Sequence, residues 1–230
     1  MLDGDEIVAV LSATDLVSNN SVQSIFIINR IFQAKTLEAL VELKKMRDEI
    51  FITLIENEVS YDQIMQVMSL IADSFMQKLI MMGENQLGTP PCHYAWCVAG
   101  SQAREEMHVV SDQDNFIILS HELNDQERDY FSQLTQFVND SLDKCGYEKC
   151  SGDFMASNPK WCQSLPVWEA YFADWIMHPE LEKLLNASVF LDRRVIFGDE
   201  SLLHKLDNQV IERIKIIIDL FPIWLQTPFA

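Results

Sequence analysis

Asp112 and Asp114 stand two residues apart at the entrance to the apolar run Phe116-Ile117-Ile118-Leu119. Alternation along a strand there puts both carboxylates on one face, and two carboxylates held that close repel each other unless a cation lies between them. A hard divalent cation, Mg²⁺ or Mn²⁺, suits them, because such ions take oxygen ligands and usually keep phosphate oxygens as co-ligands. Upstream, Gly100-Ser101 falls between the compact apolar run Tyr94 to Ala99 and the polar, helix-prone stretch Gln102 to Met107. At a strand-to-helix turn of this kind, backbone N–H groups and the Ser101 hydroxyl can hold a terminal phosphate, and Gly100 lets it approach closely. Arg104 either contacts the phosphates or pairs with Glu106 and the acidic surface. The chemistry implied is a phosphate-bearing ligand bound with a divalent cation: Asp112 and Asp114 on the metal, Gly100, Ser101 and Arg104 on the phosphates. Taken singly, Asp112 could equally cap a strand turn; the Gly-Ser turn in register with D-x-D is what singles the pair out.

The composition narrows the partners. The chain has 230 residues, 48% of them hydrophobic, enough to bury one sizeable core or two modest ones without disulfide or metal staples. Lys and Arg number 17 against 35 Asp and Glu, a formal charge of −18. Affinity for nucleic acid depends mainly on cationic side chains displacing counterions, so neither nucleic acid nor an anionic membrane surface is an expected partner. The five cysteines, Cys92, Cys97, Cys145, Cys150 and Cys162, form no C-x-x-C pair, and an odd number cannot close into intramolecular bridges. They read as reduced intracellular thiols, small buried hydrophobes by default; a zinc site on Cys145 and Cys150 with His93 or His121 lacks a second close ligand pair. The first residues carry neither the basic nor the apolar region of a secretory signal. The longest apolar stretch, Ile214 to Leu225, is broken by Lys215, Asp219 and Pro222 and falls short of the about 20 residues a bilayer span needs. The expected location is the cytoplasm.

The remaining pattern says which elements hold the site. Ile7 to Leu11 is a short β-type run. From Ser24 to Met82 apolar residues recur at spacings of three and four, the helix period, with a second start signal where Ser60 and Gln63 fit a capping box. Gly83 to Pro91 carries two glycines and two prolines and reads as the main break. Then come a strand to Ala99, the Gly-Ser turn, a short helix, the strand Phe116 to Leu119, and a helix opened by Asn124 with Glu127 and ending near Gly146. Cys150 to Ala156 is the expected third strand. Trp161, Leu165, Trp168, Tyr171, Phe172, Trp175 and Ile176 form a broad aromatic stripe at helical spacing, which reads as core. Val189 to Phe197 is an extended segment, and Gly198-Asp199 starts a last helix.

Taken together, the Gly-Ser turn, short helix and D-x-D strand resemble the signature of the DNA polymerase β nucleotidyltransferase superfamily. The string G-S-x-A-R-E-E followed by S-D-Q-D-N resembles the corresponding domains of PII uridylyltransferases and glutamine synthetase adenylyltransferases, and most closely the nucleotidyltransferase family found behind paired CBS domains. Cys150-Ser151-Gly152-Asp153-Phe154-Met155-Ala156-Ser157-Asn158-Pro159-Lys160-Trp161 looks like that family's second motif, and Asp192-Arg193-Arg194 with Gly198-Asp199 resembles its later signature. Ala103 departs from the glycine usual in the uridylyltransferases. Ile7 to Leu16 resembles the closing strand and turn of a CBS domain, with Ser12 and Asp15 as half of a nucleotide site. The resemblance implies an excised piece of a longer regulatory protein: residues 1–20 a CBS tail, 21–87 a helical connector, 88–158 the nucleotidyltransferase core, 159–230 a truncated helical region.

An α+β fold follows, with an N-terminal helical bundle, a small mixed sheet of polymerase-β type and a helical C-terminal region. The resemblance also implies a third carboxylate on a neighbouring strand; Asp153 is the candidate, to hold metal and orient or deprotonate the acceptor, with Asp192 as runner-up unless it pairs with Arg194. The implied activity is Mg²⁺-dependent transfer of a nucleoside monophosphate from an NTP to a hydroxyl of a protein or small molecule, as in a PII uridylyltransferase. The alternatives are a non-catalytic nucleotide sensor coupled to CBS domains, or a helical interaction module. A homodimer stays open.

Overall fold

The computed structural model describes the backbone of residues 2–3, 6–7 and 24–220 and the side chains of residues 24–216. The CBS-like Ser12 and Asp15 lie outside the described residues. Of the run expected from Ile7 to Leu11, Ile7 falls in β2 (Glu6–Ile7), which pairs antiparallel with β1 (Leu2–Asp3).

The helical period from Ser24 onward resolves into α1 (residues 24–33), α2 (Leu37–Glu56) and α3 (Tyr61–Leu87). Two sequence expectations are corrected here. The Ser60 hydroxyl donates to Gln63 Oε1 at 2.9 Å and makes no bond to the helix backbone, so the capping box does not form. Gly83 does not break the chain. It sits inside α3, where a Cβ would come 2.5 Å from Leu134 Cδ1, so it acts as the close-packing point for the next long helix. The break comes at Gly88, whose φ of 92° ends the helix.

Four strands follow, in the order β5-β4-β3-β6. β3 (Tyr94–Ala99) is wholly buried and pairs antiparallel with both β4 (Asn115–Leu119) and β6 (Arg193–Gly198). β5 (Cys162–Ser164) runs parallel to β4. The third strand is therefore not Cys150 to Ala156. That segment is a compact loop, because Asp153 takes a φ of 58° and its carbonyl accepts from the Trp161 indole at 2.9 Å. The extended segment begins at Arg193 rather than Val189, since α7 (Leu181–Phe190) reaches Phe190.

Side-chain alternation divides the sheet between two cores. Tyr94, Trp96, Val98, Ile117 and Leu119 pack with α1, α2, α3 and α5 (Asp125–Lys144). Ala95, Cys97, Phe116 and Ile118 face α6 (Leu165–Met177), α7 and α8 (Glu200–Leu220). Trp161, Trp168, Phe172 and Trp175 are buried there, as the aromatic stripe predicts. Trp161 itself stands on a one-turn 3₁₀ segment ahead of α6, and Trp168 Nε1 donates to the Ile117 carbonyl at 2.8 Å. The fold is α+β, helices around a small mixed sheet, as expected. Among the described residues no helix is long and apolar enough to cross a membrane.

The start of α5 is as the sequence indicates. Asn124 accepts from the Gln126 and Glu127 amides, and Glu127 accepts from the Asn124 amide at 2.9 Å, closing the capping box. Asn124→Ala is expected to lower the urea-unfolding free energy by about 1 kcal/mol, read from the shift in midpoint at unchanged slope.

Candidate functional site

The site is assembled where β3 ends and β4 begins. The Ala99 amide donates to the Asp114 carbonyl at 2.9 Å, which brings the Gly-Ser turn against the D-x-D segment. Gly100 has a φ of 54°, and a Cβ there would meet Asp114 Oδ2 at 3.1 Å. Glycine is therefore favoured both by the backbone conformation and by the close approach of the carboxylate. The expected helix Gln102 to Met107 shrinks to one turn, α4 (Gly100–Ala103), stopped by Glu105 at φ 60°.

Asp112 and Asp114 both lie at the mouth of β4, half-buried, as alternation requires. Between and after them, Gln113 and Asn115 point the other way into a buried polar network centred on Asn139 of α5. Asn139 Nδ2 donates to Gln113 Oε1 at 2.7 Å and to Asn115 Oδ1 at 3.1 Å, and its Oδ1 accepts from the Ser157 amide at 3.0 Å. Gln113 Nε2 in turn donates to the carbonyls of Asn139 and Tyr147. Arg47 of α2, buried, donates to the Gly146 carbonyl and lies over the Tyr147 ring, so the network is braced from the helical side.

Burial pushes the Asp114 carboxyl up to about 6; the Asp112 charge acts in the same direction, and hydrogen bonding from the Cys150 thiol opposes both. Asp114 Oδ1 is buried without a hydrogen-bond partner. Such an oxygen carries a desolvation cost that a cation removes. One oxygen each from Asp112 and Asp114 and the Cys150 sulfur all lie within 4.8 Å of one another. The donor set therefore fits a divalent cation.

The other expected residues are placed as follows. Arg104 is shared by Glu106 (2.7 Å) and Asp192 (2.8 Å), so it has carboxylate partners on two sides. Asp192 thus pairs with Arg104, and Arg194 pairs instead with Asp73 of α3 at 2.7 Å, where Gln102 Nε2 also donates to Asp73. Arg194 is held there by two bonds to the Asp73 carboxylate and one to the Gln102 carbonyl. The Gly100 amide donates to the Asp192 carbonyl at 3.1 Å. The Ser101 hydroxyl donates to Met107 Sδ at 3.7 Å. Asp153 is exposed, its Oδ2 accepting from Asn158 Nδ2 at 2.9 Å. It stands outside the trio of Asp112, Asp114 and Cys150.

Sequence reasoning missed Cys150, reading it as a small hydrophobe although it opens the second motif. It also missed Asn139, whose only signal was a polar residue at an inward helix position between Val138 and Leu142. An open cavity of about 550 Å³, lined by Tyr61, Asp62, Gln66, Arg104, Glu106 and His108 among others, borders the Arg104 side of the turn. A separate cavity of about 590 Å³ lies at the far end of β3, by Tyr94 and Gly198.

No curated protein matches the chain. A family model does, under the description "Putative nucleotidyltransferase DUF294", over residues 45–182. The match takes in the Gly-Ser turn, D-x-D, Asn139, Cys150 and Asp153, and leaves Asp192 and Arg194 beyond it. With the carboxylate pair, its buried unpartnered oxygen and the glycine turn in one place, more than half of the sequence matched points to nucleotidyl transfer as the general chemistry: the chain belongs to the DUF294 nucleotidyltransferase family.

Proposed function

We propose that this protein moves a nucleoside monophosphate from an NTP to a hydroxyl on a protein or small-molecule acceptor, using Mg²⁺ or Mn²⁺ held by Asp112 and Asp114. The observation that carries the reading is the Asp114 carboxylate, whose Oδ1 is buried and unpartnered while its Oδ2 faces Gly100, with an oxygen of Asp112 within 4.8 Å. The bound cation would neutralise triphosphate charge and favour in-line displacement. In that reaction the acceptor oxygen bonds to the α-phosphorus, the bond to the bridging oxygen breaks, and pyrophosphate leaves. The protein contributes position and charge. Asn139 and Gln113 hold the D-x-D backbone. Gly100 keeps the wall of the site thin, and Ser101 offers a hydroxyl at the turn. Arg104 reaches phosphate by exchanging one of its two carboxylate partners. Asp153, exposed on the adjoining loop, is proposed to orient or deprotonate the acceptor; as a metal ligand it would first release Asn158. A signalling protein of the PII type, modified as by a uridylyltransferase, and a CBS-linked regulatory context are the acceptor and setting the sequence resemblance implies.

One observation favours a second reading, a nucleotide sensor that binds without transfer. Asp192 takes both the Gly100 amide and Arg104, two donors a transferred triphosphate would use.

Calorimetric titration of ATP, UTP, GTP and CTP with and without Mg²⁺, on wild type and the Asp112→Asn/Asp114→Asn double variant, tests the site without an acceptor. Metal-dependent binding that the double variant loses is the expected result. Equal binding by both proteins would end the proposal. Binding without pyrophosphate release over a panel of acceptors selects the sensor.

A further inference from the structure

We propose that Cys150 is the third protein ligand of the cation site, and that its sulfur shifts the site's preference from Mg²⁺ toward borderline cations such as Co²⁺ and Zn²⁺. The inference rests on the reading of Asp112 and Asp114 as cation ligands and says what kind of cation they take.

The placement of Cys150 is fixed by backbone bonds on either side of it. Lys149 forms an isolated parallel bridge with Gln113, and the Gln113 amide donates to the Glu148 carbonyl at 3.0 Å. Past it, the Asn115 amide donates to the Phe154 carbonyl at 3.0 Å. The loop between is thus pinned to the D-x-D segment at two points. The Asp153 amide donates back to the Cys150 carbonyl at 3.0 Å, and Gly152 lies under the Phe154 ring, where a Cβ would come within 2.7 Å. A tight loop anchored at both ends leaves the thiol little freedom to turn elsewhere.

The distances suit one ion. Bonds of about 2.1 Å to oxygen and about 2.3 Å to sulfur set the ligands of one tetrahedral cation about 3.4–3.6 Å apart. One oxygen from each carboxylate and the Cys150 sulfur already lie within 4.8 Å of one another, so closure by at most about 1.4 Å through side-chain rotation brings all three onto one ion. Asp114 Oδ1, buried and unpartnered, supplies a donor that nothing in the protein satisfies. Among the described residues this is the one cluster of His, Cys, Asp and Glu with such spacing. Cys97 and Cys145 are free and fully buried in the two cores, which is where a merely space-filling cysteine belongs. Cys150 is instead half-buried beside two carboxylates.

Ligand softness then sets the preference. Mg²⁺ demands hard oxygen ligands and keeps its waters, whereas thiolate ligands suit Zn²⁺ and its neighbours in the first transition row. On binding, the thiol proton passes to solvent and a metal–sulfur bond forms. No oxidation is involved.

The test uses the full chain, kept reduced with a phosphine, titrated anaerobically with Co²⁺ or Cd²⁺ while the ultraviolet sulfur-to-metal charge-transfer band is followed. Competition with Mg²⁺ gives the relative affinities. Wild type is expected to show the band at one equivalent. Cys150→Ser is expected to lose it and to bind Co²⁺ and Zn²⁺ at least about tenfold more weakly relative to Mg²⁺. Far-ultraviolet circular dichroism confirms that the variant folds. A cation bound through Asp112 and Asp114 with no band, or a band and metal preference that survive Cys150→Ser, overturns the role of Cys150 and leaves the carboxylate site standing. Absence of any cation binding by wild type, with or without NTP, removes the site itself and this inference with it.

Discussion

Asp114→Asn is expected to make the metal-free protein more stable while removing its function. The carboxyl is pushed from its ordinary 3.8 to about 6, first by burial and then by Asp112. At 1.36 kcal/mol per factor of ten, ionising it in the folded protein costs at most ~3 kcal/mol, and relaxation leaves about 1–2 kcal/mol for the variant to recover. The folded state holds this proton more tightly than the unfolded chain does, so between pH 3.8 and about 6 the group's contribution to stability falls as pH rises, and above that range the full penalty is present. Metal-free wild type minus variant, followed by urea unfolding from pH 4.5 to pH 7.5, should therefore grow steadily more negative and then level off. The difference is needed because carboxylates such as Glu127 and Asp199 are held below their ordinary range by hydrogen bonds and act in the opposite sense in both proteins. Saturating divalent cation should reverse the sign, since binding to the folded state alone stabilises it. Transfer activity in the variant should fall by at least about a thousandfold, the scale of a lost charge-stabilising group. A variant no more stable than wild type at neutral pH without metal would mean that Asp114 carries no buried charge.

The second large effect is expected at Asn139→Leu, a substitution of similar size at a fully buried position. It deletes the donor to Gln113 Oε1 and Asn115 Oδ1 and the acceptor of the Ser157 amide. Each buried group left unpaired costs about 1–3 kcal/mol, so unfolding free energy should drop by about 3–5 kcal/mol. The function should suffer beyond the stability loss. Asn139 ties the D-x-D backbone to the segment after Cys150, and without it the carboxylates lose their fixed spacing. At low temperature, where the variant remains folded, cation affinity should still be weaker by about tenfold, as for lost supports around other metal sites. Unchanged affinity in the folded variant would restrict Asn139 to a role in stability. Asn139→Asp separates the two further, because it restores the acceptor for Ser157 and not the amide donor.

Much of this protein was legible because the relevant signals are local. The capping box at Asn124 and Glu127 depends on residues three apart, and it forms. The period of three and four through Ser24 to Met82 and the aromatic stripe of α6 report which helix faces are buried, whatever they are buried against. D-x-D sharing a face follows from the pleat alone. Local signals also misled where tertiary contacts competed. Gly83 reads as a breaker, yet close packing against Leu134 holds it inside a helix. Ser60 and Gln63 have the right spacing for a cap and bond to each other instead. β5 has three residues, too few for any periodicity, and takes its conformation from pairing with β4.

By itself the sequence determined the α+β class, the helical start, the Gly-Ser and D-x-D pair and hence the family chemistry, since each depends on neighbours within a few residues. Only the tertiary structure decided which groups complete that pair. Cys150 reaches Asp112 and Asp114 across the whole length of α5 in the sequence, Asp192 reaches Arg104 from beyond the aromatic helix, and Arg194 goes to Asp73 of α3. Contacts so distant along the chain leave no periodic trace in it: they are set by strand order, by the length of α5 and by buried hydrogen bonds that exist only once the chain has folded.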